Sequence, residues 1–341
     1  MVKLTKLLTF VTIATAFVAA VIAAPATEAA EVTLVCAHDH PTTKGAEGQR
    51  EIELQTFKKY VEEHSNGRIA VKVIGAGQLG DMPEIYENLR LGTVDCSGFD
   101  AATAGPFIKE YSFVGAPLVI QSKKHADLLS DPNRPYFKTI AKLMRDRMKV
   151  VAIGAFSVPP RNIYSNKRPV TKPEDLKGLK FRTMQSKIQL RSWEALGAAP
   201  MAVAFQELYG ALQTGVVDAA ENPAFLVWGT KQYETIDYYS LTRHQINTGM
   251  VVVTESGLNK VPKDLRQVVI DAGPVAAAAG TKYVWDSNEK FIDLLKGAGI
   301  KVVEVDNKPF VDKIAPLHDE LAKEFGAEGL LKIIREEAAN L

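Results

Sequence analysis

Two arginines stand where a carboxylate would be met. In Lys177-Gly178-Leu179-Lys180-Phe181-Arg182-Thr183 a glycine turn feeds a short strand that ends on Arg182. Ligands of parallel α/β sheets arrive beyond the carboxyl ends of the strands. A guanidinium is planar and permanently charged, and its paired N–H donors match the two oxygens of a carboxylate. Arg182 is therefore the leading candidate for an anion contact, with an ordinary ion pair to Asp or Glu as the competing role. Arg161 follows the stiff Pro159-Pro160 pair and offers a second donor to the same anion, or one half of an ion pair between two lobes. Asn222 precedes Pro223, which suits the first position of a helix, so Asn222 reads as an N-cap. It also lies past a strand end, where its amide reaches a carboxylate or hydroxyl.

In the amino-terminal half, His38-Asp39-His40 follows one strand and Asp100 another. Histidines two apart suit a metal, but no second His or carboxylate motif at ligand spacing accompanies them, so no metal is expected. Polar contact with a ligand's hydroxyl groups suits His38 and Asp100 better, the alternative being a helix cap. Asp100 there disfavours a second carboxylate nearby. Catalytic signatures are missing: the sequence has no G-x-S-x-G, no H-E-x-x-H, no P-loop and no G-x-G-x-x-G after a strand. No catalytic residue and no cofactor is expected. Trp193 and Trp228, at helical positions, read as core rather than ligand platforms.

These residues need a frame. Lys3 and Lys6 precede an apolar run, Leu7 to Ala24, ended by Pro25, the layout of a secretory signal peptide. A mature start between positions 27 and 31 is expected, with a retained anchor as the rival. Formal net charge is +1 over 341 residues, and loss of residues 1–30 removes Lys3, Lys6 and Glu28, leaving a neutral chain. Without basic clusters or interleaved aromatics, nucleic acid is not an expected partner. The length calls for about two lobes. Cys36 and Cys96 are the only cysteines; both read on strands of one sheet, where neighbouring parallel strands rarely give disulfide geometry, so two buried free thiols are expected.

From Glu31 onward short β-rich runs alternate with longer helical ones, the mark of an α/β fold with mostly parallel sheets flanked by helices. Expected strands are 32–37, 68–74, 94–99, 149–155, 161–165, 179–182, 216–220, 248–254 and 301–305. The stretch 262–298 stays helical in character for about 37 residues, reaching roughly 55 Å with a kink where Pro274 removes a donor. A last amphipathic helix is expected over 310–337. The crossover at 158–160 suggests lobe I at 31–157 and 247–287, and lobe II at 158–246 and 288–341.

The segments Pro173-Glu174-Asp175-Leu176-Lys177-Gly178-Leu179-Lys180-Phe181-Arg182 and Gln213-Thr214-Gly215-Val216-Val217-Asp218-Ala219-Ala220-Glu221-Asn222-Pro223, with Gly77-Gln78-Leu79-Gly80 and Leu91-Gly92-Thr93-Val94-Asp95, resemble the DctP-like solute-binding proteins of TRAP transporters. The resemblance implies a periplasmic receptor of two lobes around a ligand cleft, braced by a long helix, that delivers an organic acid to membrane permease subunits. It implies a carboxylate salt bridge at Arg182, assisted by Arg161 and Asn222, with Phe205 close by and His38 and Asp100 tuning the substrate. A sugar acid or hydroxy acid is the favoured ligand. A periplasmic enzyme acting on such an acid, or a ligand sensor for a membrane kinase, are the competing classes. Gly273-Pro274 departs from an unbroken bracing helix.

Overall fold

The computed structural model describes residues 29–339 and 341; the apolar run Leu7 to Ala24 lies outside them. Along the described chain the strands are β1 (Val32–Ala37), β2 (Ile69–Ile74), β3 (Cys96–Asp100), β4 (Val150–Ser157), β5 (Arg161–Ser165), β6 (Lys180–Thr183), β7 (Ala199–Ala202), β8 (Ala219–Asn222), β9 (Tyr238–Gln245), β10 (Thr248–Thr254) and β11 (Lys301–Glu304). They form two sheets, ordered β2-β1-β3-β10-β4 and β11-β9-β5-β8-β6-β7. Each sheet is parallel but for one strand. In the first, β10 runs antiparallel to β3 and β4; in the second, β5 runs antiparallel to β8 and β9.

Those two odd strands are the arrivals from the opposite sheet. The chain leaves the first sheet at β4, crosses through Val158-Pro159-Pro160 and enters the second as β5; it returns from β9 through Ile246-Asn247 into β10. The two crossings touch, Val158 N–H donating to the Asn247 carbonyl at 3.0 Å. All of β10 is buried, which explains why Gly249-Met250-Val251-Val252-Val253 reads as a continuous apolar run rather than an alternation.

Helix Gln49–His64 and helix Arg266–Asp286 cover one face of the first sheet, and their apolar residues enclose a core with Leu34, Phe57, Val251, Val253, Ala272 and Ala276. The long helix runs through Pro274 without ending and stops at Ser287, where a second helix, Asn288–Gly297, begins. The expected 37-residue brace is thus a helix of 21 residues, about 30 Å long, with its break thirteen residues later than the proline suggests. Close packing supplies what the missing donor takes away. A Cβ on Gly273 would lie 2.3 Å from the Ile153 carbonyl oxygen, so glycine is what lets the helix rest on β4.

Further differences from the sequence reading concern strands and the carboxyl terminus. Strands β7 and β9 were not expected, and β8 begins three residues later than the apolar run Val216-Val217. The final segment is not one helix but three, Lys308–Ile314, His318–Phe325 and Glu328–Ala338. The first packs on helix Lys187–Leu196 beside the second sheet, whereas the other two pack on helices Lys109–Ser112, Lys123–Leu129 and Pro135–Met148 beside the first. Residues 318–338 therefore pack mainly on helices of the first unit, where the second was expected, while Glu324 also reaches Arg191 on the helix beside the second sheet. Cys36 and Cys96 form a disulfide, against the expectation of free thiols. They are register partners on β1 and β3 with Cα atoms 4.5 Å apart, inside the range a disulfide bridges. Among the described residues no helix is long and apolar enough to cross a membrane.

Candidate functional site

A cavity of about 540 Å³, counting its open mouth, lies between the carboxyl ends of the strands of the two sheets. One wall comes from the first unit: Asp39 and His40 after β1, Arg50 in the first turn of its helix, Asp81 to Pro83, Asp100 at the end of β3, and Thr103. The other comes from the second: Arg161 at the start of β5, Arg182 on β6, Val203 to Phe205 after β7, and Asn222 at the end of β8. Near the mouth the walls meet, for a Cβ on Gly77 would lie 2.5 Å from the Gln206 amide nitrogen.

Arg182 is 2% exposed. Its Nε and Nη2 donate to the Val203 carbonyl at 2.9 and 2.8 Å, which fixes the plane of the guanidinium. Nη1 is buried and has no hydrogen-bond partner among the described residues, and none of their carboxylates pairs with this arginine. Burial pulls its pKa below the ordinary arginine value, opposed by the more distant Tyr164 and Glu221. A charge removed from water without a counter-charge is costly, so this arrangement calls for an anion from outside the chain.

Arg161 is treated differently. It pairs with Glu221 through Nε and through Nη2 at 2.9 Å, and Nη2 also reaches the Asn222 Oδ1 at 2.7 Å. Both partners belong to the second sheet, so the ion pair is within one unit rather than between two. Burial pushes the Glu221 carboxyl up, but Arg161 and the nearby His244 outweigh it and bring its pKa to about 2. Asn222 is not an N-cap: Pro223 takes that position, while the Asn222 amide nitrogen donates to the Tyr164 hydroxyl at 2.9 Å. Its side chain is thereby locked at the cavity wall. Phe205 also lines the cavity, in a short turn of 3₁₀ helix.

In the opposite wall Arg50 was missed. It is buried, with Nη1 on Asp39 at 2.7 Å and Nη2 on Asp100. Burial works against its charge, yet the two carboxylates together raise its pKa. Asp100 also accepts from Thr103 Oγ1 at 3.0 Å and from the Tyr86 hydroxyl at 3.3 Å. Next to this cluster His40 accepts the Arg50 backbone N–H on Nδ1 at 3.2 Å. Burial, with Arg50 and His38 nearby, keeps His40 neutral, its pKa well below the usual histidine range. The neutral ring then carries its proton on Nε2.

His38, the expected partner of ligand hydroxyls, is not on the cavity lining. It is fully buried and bonds Glu51 through Nε2 at 2.7 Å, so the side chain two residues on, His40, holds the lining position. Trp193 is buried and Trp228 stacks on Tyr233, both away from the lining. Among the described residues no group of histidines, cysteines and carboxylates fits a metal ion.

Residues 42–324 match the model of a known family, the bacterial extracellular solute-binding proteins of family 7, DctP. The chain belongs to that family. Among family 7 relatives, the C4-dicarboxylate-binding periplasmic protein DctP of Rhodobacter capsulatus is 28% identical, with 88% of each chain covered. A TRAP periplasmic solute-binding protein from Polaromonas sp. JS666, solved with D-erythronate, superposes with a TM-score of 0.82 at 28% identity over 89% of this chain and 98% of that one. Another, from Chromohalobacter salexigens DSM 3043 with D-glucuronate, gives 0.83 at 25% identity over 89% and 99%. These family 7 proteins are solute-binding proteins rather than enzymes, and they share the fold of two α/β lobes around a cleft.

Proposed function

We propose that this protein is the periplasmic receptor of a TRAP transporter, capturing a sugar acid or hydroxy acid through a salt bridge between its carboxylate and Arg182. The observation that carries this reading is a fully buried guanidinium whose only protein partner among the described residues is a carbonyl oxygen. Val203 holds it edge-on, so the remaining N–H groups meet a carboxylate in fixed geometry. Arg161 and Asn222, clamped by Glu221 and Tyr164, line the site beside it, and Phe205 gives an apolar surface for the ligand's C–H face. The relatives solved with D-erythronate and D-glucuronate support a hydroxylated acid. Residues 1–30 act as the export signal, and the loaded receptor hands its ligand to membrane permease subunits.

Arg182→Ala separates this reading from a structural one. With D-erythronate and D-glucuronate as probes, calorimetric titration is expected to lose about 2 to 5 kcal/mol of binding free energy, the cost of unpairing a desolvated carboxylate. The melting temperature of the unliganded variant is expected to match or exceed that of the parent. Affinity retained in the variant contradicts the proposal.

A further inference from the structure

The family relatives include both a C4-dicarboxylate binder and binders of singly charged sugar acids, two charge classes that the lining of the cavity would meet differently. Resting on the reading above, we infer that the site admits one negative charge only: the wall formed by Asp39, Arg50, Asp100 and Asp81 is a filter that rejects dicarboxylates and accepts polyhydroxylated monocarboxylates.

The charges of the two walls support this. In the second unit's wall, Glu221 cancels Arg161, leaving Arg182 as the unbalanced charge, so that wall offers one positive site. In the first unit's wall, a single guanidinium, Arg50, is shared by two buried carboxylates. Asp39 is 8% exposed, Asp100 6% and Arg50 5%, so water screens none of them well. At the mouth Asp81 caps the helix Met82–Leu91 and adds a further carboxylate to the same lining. Burial raises the Asp81 pKa, and among its neighbours Glu84, Asp39 and Glu207 push it the same way, as expected where negative potential gathers. His40, the remaining titratable group on this wall, is neutral and supplies no counter-charge. A ligand anchored by one carboxylate on Arg182 projects its far end at this wall. Hydroxyl groups there find carboxylate acceptors and the His40 N–H; a second carboxylate finds like charge in a desolvated place, where juxtaposition is costly.

The test uses pairs of equal length that differ in one terminal group: D-erythronate against meso-tartrate, and D-gluconate and D-glucuronate against D-glucarate. Titration calorimetry on the intact mature protein at pH 7.5 is expected to show each dicarboxylate at least about 100-fold weaker than its monocarboxylate partner. Asp39→Asn and Asp100→Asn, checked for folding by circular dichroism, are expected to shrink that ratio at least about tenfold, whichever of the two remains folded. Dicarboxylates that bind within threefold of their partners overturn the filter, as does a ratio unchanged in a folded variant. The same series in Arg182→Ala keeps the two ideas apart. If that substitution abolishes binding of both classes while the parent does not discriminate, the anchor stands and the filter falls; if it abolishes neither, the anchor itself falls.

Discussion

Arg50 and Arg182 are buried to similar depth in opposite walls of one cavity, at 5% and 2% exposure, and the chain answers their charges in opposite ways. Arg50 is met by two carboxylates, one from the loop after β1 and one from the end of β3. Arg182 is met by the dipole of one carbonyl. The first arrangement has its charge met within the chain, although the Arg50 Nε keeps no hydrogen-bond partner among the described residues, and it ties together three segments of the first unit. The second leaves a positive charge whose compensation has to come from a bound anion. The same residue type therefore holds the fold together in one wall and recognises an acid in the other, and the partner supplied by the chain decides which.

The contrast breaks most visibly in stability. Arg50→Met leaves two buried carboxylates without their cation and is expected to cost about 3 to 5 kcal/mol in urea unfolding, whereas Arg182→Met, which removes an uncompensated charge, is expected to cost under about 1 kcal/mol. Equal losses would end the distinction. Next in size is the staple beneath the carboxylate wall. Replacing Cys36 and Cys96 together by Ala opens a constraint across 60 residues, and a loss of about 2 to 4 kcal/mol in the same melts is expected.

The arginine in the second wall that does have its own carboxylate shows itself through pH. Glu221 titrates near 2 in the folded protein, below the roughly 4.3 of an open chain. Its stabilisation is accordingly complete above the open-chain value and disappears as pH falls toward and through about 2. Glu221→Gln is expected to flatten the stability curve over that window by about 2 to 3 kcal/mol. The smallest effect concerns Glu53, behind Arg50. Burial raises its pKa well above the usual value despite the nearby arginine, so its sign is reversed: stability is complete below the open-chain pKa and is lost as pH rises through the folded value. Glu53→Gln is expected to leave stability at pH 4 unchanged and to raise it by about 1 kcal/mol at pH 8, read from paired melts.

Sequence reading reached the second wall better than the first, for a physical reason. Arg182, Arg161 and Asn222 stand at the ends or starts of short strands flanked by Gly and Pro turns, so local pattern places them near a sheet's carboxyl edge. Arg50 sits within a helix, and its partners lie 11 and 50 residues away; no local period marks such a contact. The one hint was an arginine and a glutamate, Arg50 and Glu53, on the face of the helix that also carries Leu54, Phe57 and Val61. Choosing His38 over His40 turned on the loop after β1 rather than on the strand itself: the end of β1 at Ala37 was as expected, and both histidines lie beyond it, where only the tertiary path of the chain turns His40 to the cavity. The disulfide depended on register between strands 60 residues apart, equally invisible to local pattern. Strand β9 was overlooked because Tyr239, Ser240, Thr242 and His244 are buried by neighbours rather than by their own hydrophobicity.

The double passage of the chain between the sheets has a mechanical consequence. A single tether would leave two bodies free to twist and slide as well as swing. Here β4 runs into β5 and β9 into β10, the two links are joined by the Val158–Asn247 hydrogen bond, and the chain passes over again at Ser287 and Leu317. Parallel straps of this kind define an axis, so the position of one sheet relative to the other reduces largely to a single angle, and one pair of spectroscopic labels across the cavity mouth is enough to follow it.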